Sequence, residues 1–126
     1  MPAKFTPTTT IAAMTDQDDR LRRVGENEAL YRLVNERLEA LSGGVITSSG
    51  EFGVICECAM LDCKSQIMIR PTVYEQARAH SDHFIVLRGH QIDDIEAVVE
   101  DHGSFIVIEK TPQEAKRIAE DMDPRA

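Results

Sequence analysis

Glu51-Phe-Gly-Val-Ile-Cys-Glu-Cys-Ala-Met-Leu-Asp-Cys-Lys-Ser-Gln-Ile-Met-Ile-Arg70 is the stretch on which the fold turns. The apolar residues Phe52, Val54 and Ile55 within Glu51–Cys58 read as a strand, and Gln66–Arg70 is short and β-branched enough to be its partner. Cys58 and Cys63 lie in the connection, so this segment predicts a hairpin with cysteines at its mouth.

C-terminal to the hairpin, Thr72-Val-Tyr-Glu75 has the form of a capping box and predicts a short helix to about Ala79. Phe84–Leu87 reads as a third strand, ended by Arg88-Gly89-His90. Ile95–Glu100 and Ser104–Glu109 predict a second hairpin around Asp101-His102-Gly103, where glycine permits the tight turn. Thr111-Pro112-Gln-Glu114 resembles a further capping box, with proline at the first helical position of a helix to about Met122.

N-terminal to the hairpin, Leu30, Val34, Leu38 and Leu41 repeat at helical spacing, widened by Leu33 and Tyr31. A helix over residues 20–42 follows, with Glu28, Arg32 and Glu36 spaced to pair along it and Gly43-Gly44 to stop it. Residues 1–19 show no periodicity and carry an acidic run from Asp16 to Asp19, which predicts a loosely attached tail before one domain over 20–126. The order is helix, two strands, helix, three strands, helix. Such an irregular order predicts an α+β fold with a small, largely antiparallel sheet of about five strands.

All three cysteines of the chain, Cys56, Cys58 and Cys63, fall within eight residues. Three thiolates where a strand enters a loop suit a soft or borderline cation and disfavour magnesium and calcium. Zinc accepts Cys₃His tetrahedra, so zinc is the expected cofactor and one histidine the expected fourth ligand. His90, directly after Gly89 in a loop that follows a strand, is the first candidate, and His83 the second. Three other readings of the cysteines stand beside this one. They are thiols packed as small apolar groups, a thiol redox switch and an iron–sulfur cluster. Lys64 alone brings positive charge close to the trio in sequence, while Glu57 and Asp62 oppose thiolate formation.

Asn27-Glu28, Arg32 and Val34-Asn35-Glu36-Arg37 on a helix, then Cys56-Glu-Cys58-Ala, Cys63, Tyr74-Glu75, Phe84 and Gly89-His90, together resemble a family of short, functionally uncharacterised bacterial proteins, mainly actinobacterial. The resemblance covers roughly residues 22–110. It implies the same ligand set, Cys56, Cys58, Cys63 and His90, and it implies no reaction.

On the first helix, Arg37 projects between Leu33 and Leu30, and Asn27 falls between Val34 and Leu38. Polar groups in an apolar stripe need an internal partner, an escape to solvent or another molecule. Asn27 and Arg37 are therefore candidate interface residues, and an apolar helix face left exposed would predict a homodimer.

Charge narrows the partner class. The net charge is −8, from 22 acidic and 14 basic residues, opposite in sign to what a dominant nucleic-acid partner requires. No stretch approaches a membrane span and no secretory signal is legible, so a cytoplasmic, reducing location is expected, with thiols free or metal-bound. Three functions fit this sequence. The first is a zinc-stabilised interaction or regulatory protein without catalytic activity, acting on a protein partner. The second is a thiol or zinc redox sensor, and the third a zinc-dependent hydrolase with Glu57 as general base. Neither a deaminase His-x-Glu with Pro-Cys-x-x-Cys nor a phosphate-binding glycine loop is present to support catalysis.

Overall fold

The hairpin forms as its alternation dictates. In the computed structural model, which describes residues 7–41 and 49–125, strand β1 (Phe52–Ile55) pairs antiparallel with β2 (Gln66–Ile69). The register sets Phe52 opposite Ile69 and Val54 opposite Ile67, and all four side chains are buried. A short helix α2 (Pro71–Arg78) leads to β3 (His83–Leu87). Then come the hairpin β4 (Glu96–Asp101) and β5 (Phe105–Lys110), and helix α3 (Gln113–Asp121).

The strands form two antiparallel sheets, β1-β2 and β3-β5-β4. Phe105-Ile-Val-Ile108 is a continuous apolar run because β5 is the central strand, buried on both faces. Its side chains join those of the first hairpin, β3, Tyr74 and Ala119 in one core. The two sheets meet where the chain leaves β1, since the Glu57 amide donates to the Ile85 carbonyl at 2.8 Å. Gly103, at φ 89°, makes the predicted β4–β5 turn, and an extra residue near Val99 bulges the β4 edge.

Helix α1 (Pro7–Leu41) differs from the sequence expectation in two ways. First, it starts at Pro7, so residues 7–19 of the expected tail are helical, while residues 1–6 and the Gly43-Gly44 stop lie outside the described residues. A helix anchored farther along needs no new nucleus to continue. Proline is tolerated in its first turn.

Second, the face turned to the domain is not the apolar one. Leu30 and Leu33 are 49% and 40% exposed, whereas Glu28, Arg32 and Asn35 are 1%, 0% and 0% exposed. The inward residues Leu21, Gly25, Glu28, Arg32 and Asn35 recur at alternating steps of four and three, on the side opposite the leucine stripe. Hydrogen bonding drives this choice. Lys110 at the end of β5 offers its Nζ to Glu28 Oε1 and Glu96 Oε2, each at 2.8 Å. Arg32 lies over the Phe84 ring, 4.4 Å from its centroid, and donates to the carbonyls of Ser81 and Ala119. The anticipated pairs of Arg32 with Glu28 and Glu36 give way to these deeper partners. Burying these groups with partners, all but Arg32 Nε being hydrogen-bonded, outweighs the hydropathic pattern, because each would be costly to bury without them.

Leu21 and Gly25 seat α1 against α3 in a second apolar cluster with Ile95, Ala115 and Ile118. A Cβ on Gly25 would come within 2.5 Å of Ile118 Cγ2, so only glycine permits this approach. Gly25→Val is expected to destabilise the fold by about 3 kcal/mol, measured by urea unfolding, as overpacked cores do.

Neither capping box forms. Pro71 opens α2 two residues early, which places Thr72 inside the first turn, and Pro112 occupies the cap position of α3. No side chain caps either helix, and Glu75 instead binds Arg125, which also reaches Glu36 on α1.

Candidate metal centre

Strand alternation sorts the Cys56-Glu57-Cys58 segment, since neighbouring side chains leave an extended chain on opposite sides. The thiols of Cys56 and Cys58 join Cys63 and His90, and the Glu57 carboxylate goes elsewhere. Cys63 returns from the loop through a turn closed by its amide on the Met60 carbonyl, and the Cys56 amide on the Ser65 carbonyl prolongs the hairpin. His90 arrives from the turn after β3. Its amide donates to the Leu87 carbonyl at 2.9 Å, and Gly89 supplies the positive φ of 92° that the turn requires.

One donor atom from each of these four residues lies within 4.8 Å of the other three, and all three cysteines are free and buried. His90 Nδ1 is 3.6 Å from Cys56 Sγ and 3.6 Å from Cys63 Sγ. For zinc, with bonds of about 2.3 Å to sulfur and about 2.0–2.1 Å to nitrogen, a tetrahedral S···N edge is about 3.6 Å. The four residues expected from the sequence are thus brought together in an arrangement that can hold a metal ion. His83 is not among them. It begins β3, stacked on His80 at 4.2 Å between ring centroids.

Backbone amides tune the sulfurs. The Leu87 amide points at Cys56 Sγ from 3.2 Å, a contact that favours the thiolate. Burial nevertheless pushes the Cys56 and Cys58 thiols up, only partly opposed by amide contacts from Leu87 and Met60. Burial also raises Cys63, but the Ser65 amide and hydroxyl and the neighbouring thiols outweigh it and bring Cys63 below the usual thiol range. A bound cation would remove the penalty on all three by pairing their charge.

The side chains of α1 that hold the cysteine loop are the part of the site that sequence reasoning missed, Asn27 having been read only as a candidate interface residue. Asn27 donates to the Ala59 carbonyl at 2.8 Å, and the Tyr31 hydroxyl donates to the Leu61 carbonyl. Asn35 pairs with both backbone groups of Ile55, each at 2.8 Å, and donates to Glu57 Oε2. Residues 27, 31 and 35 stand one turn apart, so a single helix edge grips the hairpin from Ile55 to Leu61. That polar spacing was the available signal. Asn27 is thus engaged within the molecule, while Arg37 is exposed.

Glu57, offered above as a general base, is fully buried and turned away from the thiols. Its Oε1 accepts the Ile85 amide at 2.9 Å and its Oε2 accepts Asn35. Burial raises its pKa, and Asn35, the Ile85 amide, Arg32 and Arg78 oppose that shift. In a second grouping of ligand-type residues, Asp82, His83 and Glu109, both carboxylates already share Lys116, whose Nζ lies 2.7 Å from Asp82 and 3.1 Å from Glu109. A polar cavity of about 240 Å³ beside Asp82 and Lys116 shares no lining residue with the cysteine cluster. No helix among the described residues is long and apolar enough to cross a membrane.

Comparison with models of known protein families, with curated proteins and with solved structures finds no match to this chain.

Proposed function

We propose that this chain is a small zinc-stabilised interaction protein, in which zinc held by Cys56, Cys58, Cys63 and His90 fixes a binding scaffold and performs no catalysis. The 3.6 Å separations of His90 Nδ1 from two sulfurs carry this reading, because they match the edge of a zinc tetrahedron. Four donors within 4.8 Å of one another suit one ion, whereas cluster ligands stand on separate irons. A shell of four protein donors leaves no position for water, which a catalytic zinc keeps open. Glu57 supports the same conclusion, since its carboxylate is spent on Ile85 and Asn35. A reducing cytoplasm suits three unpaired thiols.

The metal ties the first hairpin to the turn after β3, and α1 lies along the loop that results. The domain then offers a protein partner a surface whose shape depends on the metal. Deep burial of Cys56 and Cys58 disfavours the redox-sensor alternative, because an oxidant must reach a thiolate to act on it.

Elemental mass spectrometry on protein purified without added metal tests this. The expected result is one zinc per chain in the wild type and weaker retention in His90→Ala. Metal-free wild type with three freely titrating thiols would overturn the proposal. Iron with visible absorbance would replace it with a cluster protein, and rapid zinc release by peroxide with a sensor.

A further inference from the structure

Among the described residues, nothing covers the leucine face of α1, and Glu26 and Arg37 on it have no partner. Leu30, Leu33 and Val34 are exposed along it, and Met60 and Leu61 continue the patch at 55% and 57% exposure. The loop carrying these two is held beside the face by Asn27 and Tyr31, which lie within one turn of Leu30. Side chains of this size exposed to that extent make an apolar patch on the order of 500 Å², large for a monomer. With its charged rim it approaches the roughly 800 Å² per partner of a stable interface.

Charge identifies the occupant. Glu26 and Arg37 are exposed on the same face, eleven residues or about three turns apart, on either side of the leucines. Neither takes part in an ion pair or hydrogen bond among the described residues. The midpoint of Glu26 and Arg37 falls between Tyr31 and Arg32, and so does the midpoint of Leu30 and Leu33.

We propose that a second copy of this chain docks on this face, the two α1 helices crossing antiparallel about a two-fold axis between residues 31 and 32. That symmetry sets Leu30 against the partner's Leu33, and Glu26 against the partner's Arg37, each contact occurring twice. Buried leucines supply the affinity, and the charge pairs fix direction and register, as flanking charges do between paired helices. A parallel arrangement in register would set Glu26 against Glu26 and Arg37 against Arg37, which like charge disfavours. The proposal names the partner of the interaction protein inferred above, and rests on the metal-fixed loop only for its Met60–Leu61 flank.

Sedimentation of the full chain at micromolar concentration, with zinc measured on the same samples, tests the pairing. Wild type is expected at twice the 14.1 kDa chain mass, and Leu30→Glu as a folded monomer by circular dichroism. Glu26→Arg or Arg37→Glu alone should weaken the dimer roughly tenfold, because each breaks two pairs and creates two repulsions. Combining Glu26→Arg with Arg37→Glu should restore it. A zinc-loaded wild type that stays monomeric overturns the proposal and leaves the metal assignment intact. A dimer that the combined variant does not restore overturns the antiparallel geometry. A dimer lacking zinc but obeying the charge reversals upholds the pairing while removing the metal.

Discussion

Cys58→Ser lowers the stability of this domain by on the order of 5 kcal/mol, a large part of the about 5–15 kcal/mol that holds a small domain folded. Cys58 is 1% exposed and stands between the two other thiols in the chain, so its loss would open the proposed metal shell where no water can easily replace it. Without the proposed ion, the loop would bury Cys56 with its pKa driven up by desolvation and would lose the bond expected to join it to the His90 turn. Thermal melts with and without a strong chelator separate this from ordinary core damage. Chelator should bring the wild type down to the mutant's melting temperature and leave the mutant unmoved. If chelator moves neither protein, the site does not contribute folding energy.

Lys110→Met costs about 3–5 kcal/mol, because it strands buried carboxylates without their cation. Glu28, Glu96 and Lys110 are almost wholly inaccessible, and two acids face one base. Burial first, and then the adjoining Glu96 carboxylate, raise Glu28 well above the usual range. Glu96 is also pushed up by burial, but Glu28 and Lys110 outweigh that and hold it low. The two acids are thus shifted in opposite directions, Glu28 up and Glu96 down, around one shared lysine. Adding Glu96→Gln to Lys110→Met should recover much of the loss, since the stranded charge is then removed.

The same trio sets a pH dependence. Glu28 has a raised folded pKa, so its stabilisation is full below the unfolded carboxylate pKa and is lost as pH rises through the raised value. Glu96 has a depressed pKa, so its contribution is present above the unfolded value and is lost as pH falls through the depressed one. Glu28→Gln should abolish the decline on the alkaline side and keep the acid limb. Urea unfolding across a pH series reads both limbs.

What could be read from the sequence follows from how local each signal is. The hairpin, the three later strands, the α+β class and the juxtaposition of Cys56, Cys58, Cys63 and His90 rested on short-range alternation, glycine turns and donor chemistry. Helix α1 existed where its periodicity placed it, but its orientation could not be read. The leucine spacing gave one face, and the rule that apolar residues go inward chose the wrong side. What decides the matter is distant in sequence. Lys110, the carbonyls of Ser81 and Ala119, and the open edge of Ile55 accept Glu28, Arg32 and Asn35 only once the sheets exist. The capping boxes failed for a local reason, since Pro71 and Pro112 set the helix starts before either threonine could act.

X-ray absorption at the zinc edge on the purified full chain tests the metal centre most directly. The account predicts three sulfur neighbours at about 2.3 Å and one nitrogen at about 2.0–2.1 Å, with the nitrogen lost in His90→Ala. A shell dominated by oxygen and nitrogen, or one unchanged by His90→Ala, would contradict it.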